Sequence, residues 1–194
     1  LKTGICYKND RGELIDRYAG RVIFPWIGIS GKVVGFGGRL LDSRTKGVNQ
    51  KYVNSPDSEI YHKDRELYGI YQAKKAIAKE DRVFMVEGYT DVISMHQAGF
   101  TNAVASLGTA LTSGHASLVK RYTQEVLLLY DSDEAGVKAA LRAIPILREA
   151  GVNSRVVNLR PHKDPDEFIK AEGAEAFEKR LEAATDSFMF RVSI

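Results

Sequence analysis

Short apolar runs separated by helical patterns dominate the second half of the chain. Residues 83–86 and 126–130 are the clearest runs, and a segment with apolar positions at helical spacing follows each. Strands buried on both faces of a sheet have this continuous apolar character, whereas half-exposed strands alternate. The alternation of strands and helices over residues 82–159 therefore predicts the α/β class, with a parallel sheet covered by helices on both faces.

The same pattern gives approximate bounds for the elements of this region. Strands are predicted at 82–86, 102–106, 126–130 and 154–159, with helices at 65–79, 89–98 and 112–122, a helix that begins near 133, and a helical tail from 166. Pro145 is expected to kink or end the helix that begins near 133, because proline lacks an amide donor. Gly173 is expected to divide the tail into two helical segments.

The first 63 residues have a different, irregular β pattern. Residues 21–26 and 33–41 predict a hairpin, and a further short strand is predicted at 51–53. The glycines within 35–38 indicate a bulge or the close approach of another group to the backbone. A β-rich region is therefore expected ahead of the α/β region.

Charge divides the chain in a similar way. Residues 1–75 hold 14 Lys and Arg against 8 Asp and Glu, whereas the remainder holds 14 against 17. A basic segment followed by an acidic one predicts one surface for a polyanion and another for a metal ion. An uneven solvated surface would explain the charges alone equally well.

Composition excludes several other classes of protein. No apolar run approaches the ~18 residues of a membrane span, and the N-terminus has no signal-peptide pattern, so a cytoplasmic location is expected. The single cysteine, Cys6, excludes an internal disulfide framework and a cysteine-cluster zinc site. The chain begins with Leu1, which indicates a piece of a longer protein.

Acidic residues end two of the predicted strands. Glu87 follows one apolar run, and Asp131 and Asp133 follow another. Ligands of α/β sheets bind at the carboxyl ends of the strands, so these side chains are expected in one cleft, where their repulsion requires cations. Oxygen ligands favour Mg²⁺ or Mn²⁺ over zinc, and such an Asp-x-Asp pair can bridge two ions in phosphoryl transfer. Asp133 could instead simply cap the following helix.

Other interpretations of the Asp-x-Asp motif fail on spacing. A calcium-binding EF-hand loop needs an acid at its twelfth position, where Arg142 stands. A haloacid-dehalogenase-type phosphatase expects Thr or Val where Ala135 stands, and no segment fits a Walker A loop. The further acids that fit the same cleft by position are Asp91, Asp164 and Asp166.

Cations and aromatic residues are interleaved in the first part of the chain. The cations are Arg17, Arg21, Arg39, Lys51 and Lys63, and the aromatic residues among them are Tyr18, Phe36, Tyr52 and Tyr61. Arginine forks suit phosphate groups, and aromatic faces stack on unpaired bases. Alternatively the aromatic residues belong to a core and the cations are solvated, and the pattern does not decide between the two.

An ordered set of motifs resembles the bacterial DnaG-type primases over nearly the whole chain. The motifs are RVIFP at 21–25, GFGGR at 35–39, KYVNSP at 51–56, LYG at 67–69, EGYTD at 87–91, ASLGT at 105–109, YDSDEAG at 130–136 and DPD at 164–166. Thr90 and Ser132 depart mildly from the residues frequent in the family, and neither replaces a carboxylate.

The resemblance implies a fold with three parts. Residues 1–80 would be the C-terminal part of a basic, β-rich α+β subdomain, 81–168 a Toprim metal-binding domain with a parallel sheet flanked by helices, and 169–194 the start of a helical subdomain. The family's zinc-binding module and its helicase-binding C-terminal domain are not in this chain.

The resemblance also implies an activity. It implies a DNA-directed RNA polymerase of the primase type, a nucleotidyltransferase that makes short RNA primers on single-stranded DNA from ribonucleoside triphosphates at the replication fork, with the replicative helicase as a partner. Glu87, Asp131 and Asp133 would bind the catalytic Mg²⁺, for which Mn²⁺ can substitute, with Asp91, Asp164 and Asp166 in support. The residues that match the family's surface for nucleotide and template are Arg17, Arg21, Arg39, Lys51, Tyr52 and Lys63. The alternatives are another Toprim enzyme, a topoisomerase or an OLD-type nuclease, and a non-catalytic fragment that binds single-stranded DNA.

Overall fold

The chain folds as two units, Leu1–Lys63 and Asp64–Ile194, in a computed structural model that describes residues 2–41 and 50–193. The predicted division at residues 80 and 168 into the subdomains of the family stays a prediction. Within the described residues, no helix combines the length and the apolar character needed to cross a membrane.

Antiparallel strands form the first unit. Strands β1 (Cys6–Lys8) and β2 (Leu14–Asp16) pair with each other, and β3 (Arg21–Ile27), β4 (Val33–Leu40) and β5 (Tyr52–Asn54) form a second sheet in that order. The predicted hairpin and short strand are confirmed.

A glycine in the second sheet explains the packing of the first unit. A Cβ on Gly35 would lie 2.9 Å from the Trp26 ring, so the ring packs directly on the backbone of β4. Trp26 also contacts Tyr61, with ring centroids 5.0 Å apart, and both side chains are buried. The expectation of a close approach to this backbone is therefore confirmed, and the approaching group is the core of the unit.

Parallel strands form the main sheet of the second unit. Helix α1 (Ile70–Glu80) precedes a rhythm of β6 (Val83–Val86), α2 (Tyr89–Gln97), β7 (Ala103–Ala105), α3 (Ser113–Lys120), β8 (Glu125–Leu128), α4 (Glu134–Glu149) and β9 (Asn153–Val156). The sheet has β6 and β8 at its centre, with β7 and β9 outside them, and these four strands are parallel. All residues of β6 and β7 are buried, which explains their unbroken apolar sequence and confirms the predicted fold class.

The C-terminal segment is helical but not entirely so. Helices α5 (Pro165–Glu172) and α6 (Ala174–Glu182) are separated at Gly173 as predicted. The two-residue strand β10 (Thr185–Asp186) then pairs antiparallel with β9, before helix α7 (Ser187–Val192). The prediction of a helical tail is therefore wrong at β10, because the open edge of β9 offers backbone partners that outweigh local preference.

Two helix boundaries also differ from the predictions. Helix α1 begins at Ile70 and not near residue 65, because Tyr68 makes a bridge of two backbone hydrogen bonds with Ala105 beside the sheet. Helix α4 runs through Pro145 to Glu149, so the proline does not end it, and the alternative that it kinks the helix stays a prediction. Ile144 and Leu147 on either side of the proline are buried, and this packing offsets the lost hydrogen bond.

Candidate functional site

The pairing of β6 with β8 brings the predicted acidic residues to the carboxyl end of the sheet. This end, with Glu87, Asp131 and Asp133, is called the acidic edge. Met85 is level with Leu128 in the register, so the chain leaves both strands at the same height. Glu87 follows one strand and Asp131 the other, and the Asp131 amide donates a hydrogen bond to Glu87 Oε1 at 3.0 Å. This contact joins the two acidic motifs, which are 44 residues apart in the chain.

Gly136 explains how the Asp-x-Asp turn enters helix α4. Asp133 is the N-cap of that helix, and its Oδ1 accepts a hydrogen bond from the Gly136 amide at 2.9 Å. A Cβ on Gly136 would lie 2.0 Å from the Asp131 carbonyl oxygen, so only glycine allows the turn to pack this closely on the helix. Capping and metal binding were alternatives for Asp133, and the cap is present.

Lys163 supplies a positive charge to the acidic edge. Its Nζ lies 3.3 Å from Asp131 Oδ2, and its carbonyl accepts a hydrogen bond from the Ser132 amide at 2.8 Å. The contact with Asp131 raises the pKa of Lys163. Sequence analysis did not identify this lysine, although a cation beside the Asp164–Asp166 pair at the end of a strand was an available signal.

Asp91 is the most deeply buried acid of the site. Only 8% of it is exposed, and its Oδ2 accepts a hydrogen bond from the Gly88 amide at the start of α2. Burial, followed by repulsion from Asp164 and Asp131, raises the pKa of Asp91 to about 7. This repulsion shows that the acids after β8 and β9 lie near the first turn of α2.

Asp164 and Asp166 have structural partners of their own. Asp164 is the N-cap of α5, and its Oδ1 accepts from the Glu167 amide at 2.8 Å. Asp166 accepts hydrogen bonds from Ser94 and from Lys170, the latter at 2.6 Å. Burial raises the pKa of Asp166, but the two hydrogen bonds together lower it by more than burial raises it. The net shift of the pKa is therefore downward.

Glu87 and Asp131, like Asp91, resist deprotonation. Burial, together with the charges of Asp131 and Asp133, raises the pKa of Glu87. Burial also raises the pKa of Asp131, and Lys163 counteracts this shift only in part. Partly buried carboxylates that repel one another are stabilised by a divalent cation, and ligands with oxygen atoms alone suit Mg²⁺ or Mn²⁺.

The donor chemistry therefore fits a divalent metal, but the side chains are not closed around one position. Among the described residues, no three His, Cys, Asp or Glu side chains form a group that could hold a metal ion. Glu87 and Asp133 are engaged by backbone amides, and Lys163 contacts Asp131. The assignment of the six acids as ligands stays a prediction.

Two of the predicted cations of the first unit bind the backbone. Arg17 Nε donates to the Gly4 carbonyl at 2.7 Å, and the Arg21 guanidinium donates to the carbonyls of Gln50 and Lys51 at 2.8 and 3.0 Å. A carbonyl carries no net charge, so neither contact is an ion pair, and the role of both residues in binding nucleotide or template stays a prediction.

Two of the remaining candidates, Arg39 and Tyr52, lie on the paired strands β4 and β5. Arg39 is paired with Tyr52 in the strand register, and its guanidinium lies 6.0 Å from the Tyr52 ring centroid. Lys51 directly precedes Tyr52, and Lys63 lies farther along the chain, at the end of the unit. The structure thus places an arginine and an aromatic side chain together on one sheet.

Exposure separates the aromatic candidates. Tyr52 is 39% exposed, whereas Tyr18 is buried and its hydroxyl lies 2.9 Å from Ser55 Oγ. Tyr61 is also buried, against Trp26. The alternative that aromatic residues of this segment form a core is therefore correct for Tyr18 and Tyr61, whereas Tyr52 is partly exposed.

Two family models match the chain, one in each part. Residues 1–74 match the N-terminal domain of the DNA primase catalytic core, and residues 84–169 match the Toprim-like family. A DNA primase of Clostridium acetobutylicum is 43% identical over 194 residues, which is 100% of this chain and 31% of that protein. A DNA primase of Escherichia coli is 42% identical over 98% of this chain and 33% of its own length.

Solved structures have the same fold over nearly the whole chain. The E. coli primase catalytic core has a TM-score of 0.90 and 41% identity, over 99% of this chain and 61% of that one. A DnaG primase catalytic domain bound to single-stranded DNA has a TM-score of 0.89 and 40% identity, over 99% of this chain and 60% of that one. This chain spans about a third of the length of the two full-length relatives.

Proposed function

The chain belongs to the bacterial DnaG-type DNA primase family. We propose that it forms part of the catalytic core of an enzyme that synthesises RNA primers. The reaction is nucleotidyl transfer: a 3′-hydroxyl attacks the α-phosphate of a ribonucleoside triphosphate, and pyrophosphate leaves. The template is single-stranded DNA, and the order of bases comes from pairing with it.

The observation that carries the proposal is the contact between the two acidic motifs. The Asp131 amide donates to Glu87 Oε1, so acids from two separate strands lie at one edge of the sheet. Asp133 continues the same turn. A phosphoryl-transfer site needs such a concentration of oxygen ligands at a position that substrates can reach.

Each residue of the edge has a distinct task in this proposal. Mg²⁺ held by Glu87, Asp131 and Asp133 would supply positive charge for the attacking hydroxyl and for the departing pyrophosphate, and Mn²⁺ can substitute for it. Lys163, 3.3 Å from Asp131, favours the ionised form of that carboxylate. Gly136 keeps the turn close to α4, which fixes the direction of the two aspartates.

Asp91, Asp164 and Asp166 act in support of these ligands. Asp91 accepts from the Gly88 amide, directly after Glu87, and therefore holds the chain where Glu87 leaves β6. Asp164 caps α5, and its charge raises the pKa of both Asp91 and Asp131. These acids add negative charge to the site and increase its affinity for cations.

The first unit binds nucleotide and template in this proposal. Arg17, Arg21, Arg39, Lys51 and Lys63 provide positive charge for phosphate groups, and Tyr52 provides an exposed ring for a base. A solved relative is described as bound to single-stranded DNA, which supports this role. The wider partners are the RNA primer, and at the replication fork the replicative helicase.

The alternatives have less support. A topoisomerase or an OLD-type nuclease would share the Toprim-like segment but not the match of residues 1–74 to a primase N-terminal domain. A non-catalytic fragment that binds single-stranded DNA would have no need of partly buried acids that repel one another at the edge of the sheet.

The substitution Asp131→Asn in the intact protein tests the proposal. It removes the carboxylate that contacts Lys163 and keeps the size of the side chain. We expect Mn²⁺ affinity, measured by titration calorimetry, and template-dependent ribonucleotide incorporation each to fall by about 100-fold or more, because substitutions of residues that only support a metal ligand already cost about 10- to 100-fold.

Glu175→Gln is the matched control. Glu175 is an exposed acid in the first turn of α6, outside the acidic edge, and its substitution removes one negative charge. We expect wild-type metal affinity and incorporation for this variant. Near wild-type incorporation by Asp131→Asn would contradict the proposed function, whereas a loss in both variants would indicate an effect of net charge.

A further inference from the structure

A cavity of about 340 Å³ extends from Glu87 along helix α4 to Arg142. We propose that this cavity holds the 3′-terminal part of the growing RNA strand and that Arg142 binds one of its backbone phosphates. The inference rests on the proposed function, and it assigns a residue outside all the motifs that mark the acidic edge.

One face of α4 forms a wall of the cavity. Ala135, Ala139 and Arg142 are spaced four and three residues apart, so they lie on one side of the helix, and all three line the cavity. The two alanines leave open the space between the acidic edge and the guanidinium. Arg142 lies seven residues after Ala135 in the first turn of α4, and seven residues of helix correspond to about 10 Å along the helix axis.

Arg142 has no partner in the part of the chain that the structure describes. No hydrogen bond, ion pair or ring contact within residues 2–41 and 50–193 engages its side chain. Lys138, one turn earlier on the helix, pairs with Glu134. An unpaired guanidinium that lines a cavity can make two parallel hydrogen bonds to a phosphate without first breaking an ion pair.

The loop after β7 forms another wall of the cavity. Leu107 and Gly108 have φ angles of 54° and 71°, so two consecutive residues are left-handed, which is uncommon for leucine. Ser106 Oγ donates to the Thr109 carbonyl at 2.9 Å, and Thr109 Oγ1 donates to the Ser106 carbonyl at 3.1 Å. The loop is thereby held in one conformation beside Glu87.

The charges of the cavity give the bound strand a direction. Glu87, which follows β6, and Arg142, which lies about two turns into α4, both line the cavity. The 3′ end of a strand carries an uncharged hydroxyl, whereas every earlier link carries a negative phosphate, so the terminus belongs beside the carboxylate and a phosphate beside the guanidinium. A stacked strand advances about 3.4 Å per nucleotide, so about 10 Å places the contact at the second or third phosphate from the terminus.

A thermodynamic cycle with neutral phosphates tests this assignment. Short RNA strands annealed to a DNA template would carry a single uncharged methylphosphonate at the first, second, third or fourth link from the 3′ end. Binding to the wild-type protein and to Arg142→Ala would be measured by fluorescence anisotropy. We expect a loss of about tenfold for the wild type when the second or third link is neutral, and a similar loss for Arg142→Ala with the fully charged strand.

The decisive result is the combination of the two changes. If Arg142 contacts that phosphate, neutralising it causes no further loss in Arg142→Ala, because the interaction is already absent. Arg148→Ala is the matched control, since Arg148 lies on the same helix, is exposed, has no side-chain partner within the described residues and does not line this cavity. We expect it to retain the response of the wild type to each neutral link.

Three results would overturn the inference. Independent, additive losses in the cycle would show that Arg142 does not contact the phosphate. If Arg142→Ala and Arg148→Ala responded equally to each neutral link, the loss of binding would come from the loss of one positive charge anywhere on the helix and not from a contact of Arg142. Failure of the wild type to bind the annealed strands at all would overturn the inference together with the proposed nucleic-acid substrate, whereas the first two results leave the proposed function intact.

Discussion

The two units place their candidate functional residues at different positions on a sheet. In the first unit, Arg39 and Tyr52 lie within the paired strands β4 and β5, because an antiparallel sheet can expose one face to solvent. In the second unit, all four residues of β6 are buried, so Glu87 and Asp131 lie beyond the strand ends. When helices cover both faces of a parallel sheet, ligands bind at the carboxyl ends of its strands.

The difference has an electrostatic consequence. Arg17 and Arg21 in the first unit donate hydrogen bonds to uncharged carbonyl oxygens. In the second unit, burial and mutual repulsion raise the pKa values of Glu87, Asp91 and Asp131. A cation bound at the acidic edge would relieve this repulsion, whereas the described residues of the basic sheet show no comparable repulsion among carboxylates.

The largest expected effect comes from adding a methyl group at two glycines, one in each unit. In Gly136→Ala the new Cβ meets the Asp131 carbonyl oxygen at 2.0 Å, whereas in Gly35→Ala it meets the Trp26 ring at 2.9 Å. A backbone clash moves the whole turn, but a ring can shift. We expect the free energy of unfolding to fall by about 3 kcal/mol for Gly136→Ala and by about 1 kcal/mol for Gly35→Ala, measured by urea denaturation.

The two variants should also differ in metal binding. Gly136→Ala displaces Asp131 and should lower Mn²⁺ affinity, while Gly35→Ala should leave it unchanged. Equal destabilisation by both substitutions, with equal metal affinity, would mean that the turn after β8 is not tightly packed on α4.

The next largest effect is stabilisation by a divalent metal. Mg²⁺ at about 100 times its dissociation constant should raise the free energy of unfolding by about 2.7 kcal/mol, because a ligand that binds only the folded state stabilises it by mass action. Hydrogen exchange should slow around residues 87–91 and 131–136 of the second unit and not in β3–β5. Equal protection of both units would indicate unspecific binding, and Asp131→Asn should abolish the protection of the second.

The smallest effect is expected in the first unit. Arg39→Ala should weaken binding of single-stranded DNA by about 1 kcal/mol and lower the slope of log affinity against log salt by about 0.7, the value for one phosphate contact. Arg11→Ala is the control, because Arg11 is exposed at the turn between β1 and β2 and its guanidinium has no partner in the described part of the chain. Identical salt slopes for both variants would contradict a specific role for Arg39.

Most of the α/β region could be predicted from the sequence. The runs at 83–86 and 126–130 are apolar because β6 and β8 are buried on both faces, and burial of that kind leaves a strong signal. Glu87, Asp131 and Asp133 end these runs, so their meeting at one edge followed once a parallel sheet was predicted.

Elements that depend on distant backbone partners could not be predicted. Residues 65–79 have a helical pattern, yet Tyr68 bridges Ala105 and delays the helix to Ile70. Thr185 and Asp186 have no strand pattern, yet they pair with the open edge of β9. In both cases the hydrogen-bond partner is remote in sequence, and local propensity carries no information about it.

The sequence by itself determined the layered α/β architecture, the charge difference between the two parts and the identity of the acids, because each depends on residue type and spacing. Only the tertiary structure decided that Lys163 contacts Asp131, that Asp91 is buried beside the other acids, and that Arg142 lines the cavity that starts at Glu87. Such contacts depend on the strand register and on the rotation of each helix about its axis. Both are set by packing between segments far apart in the chain.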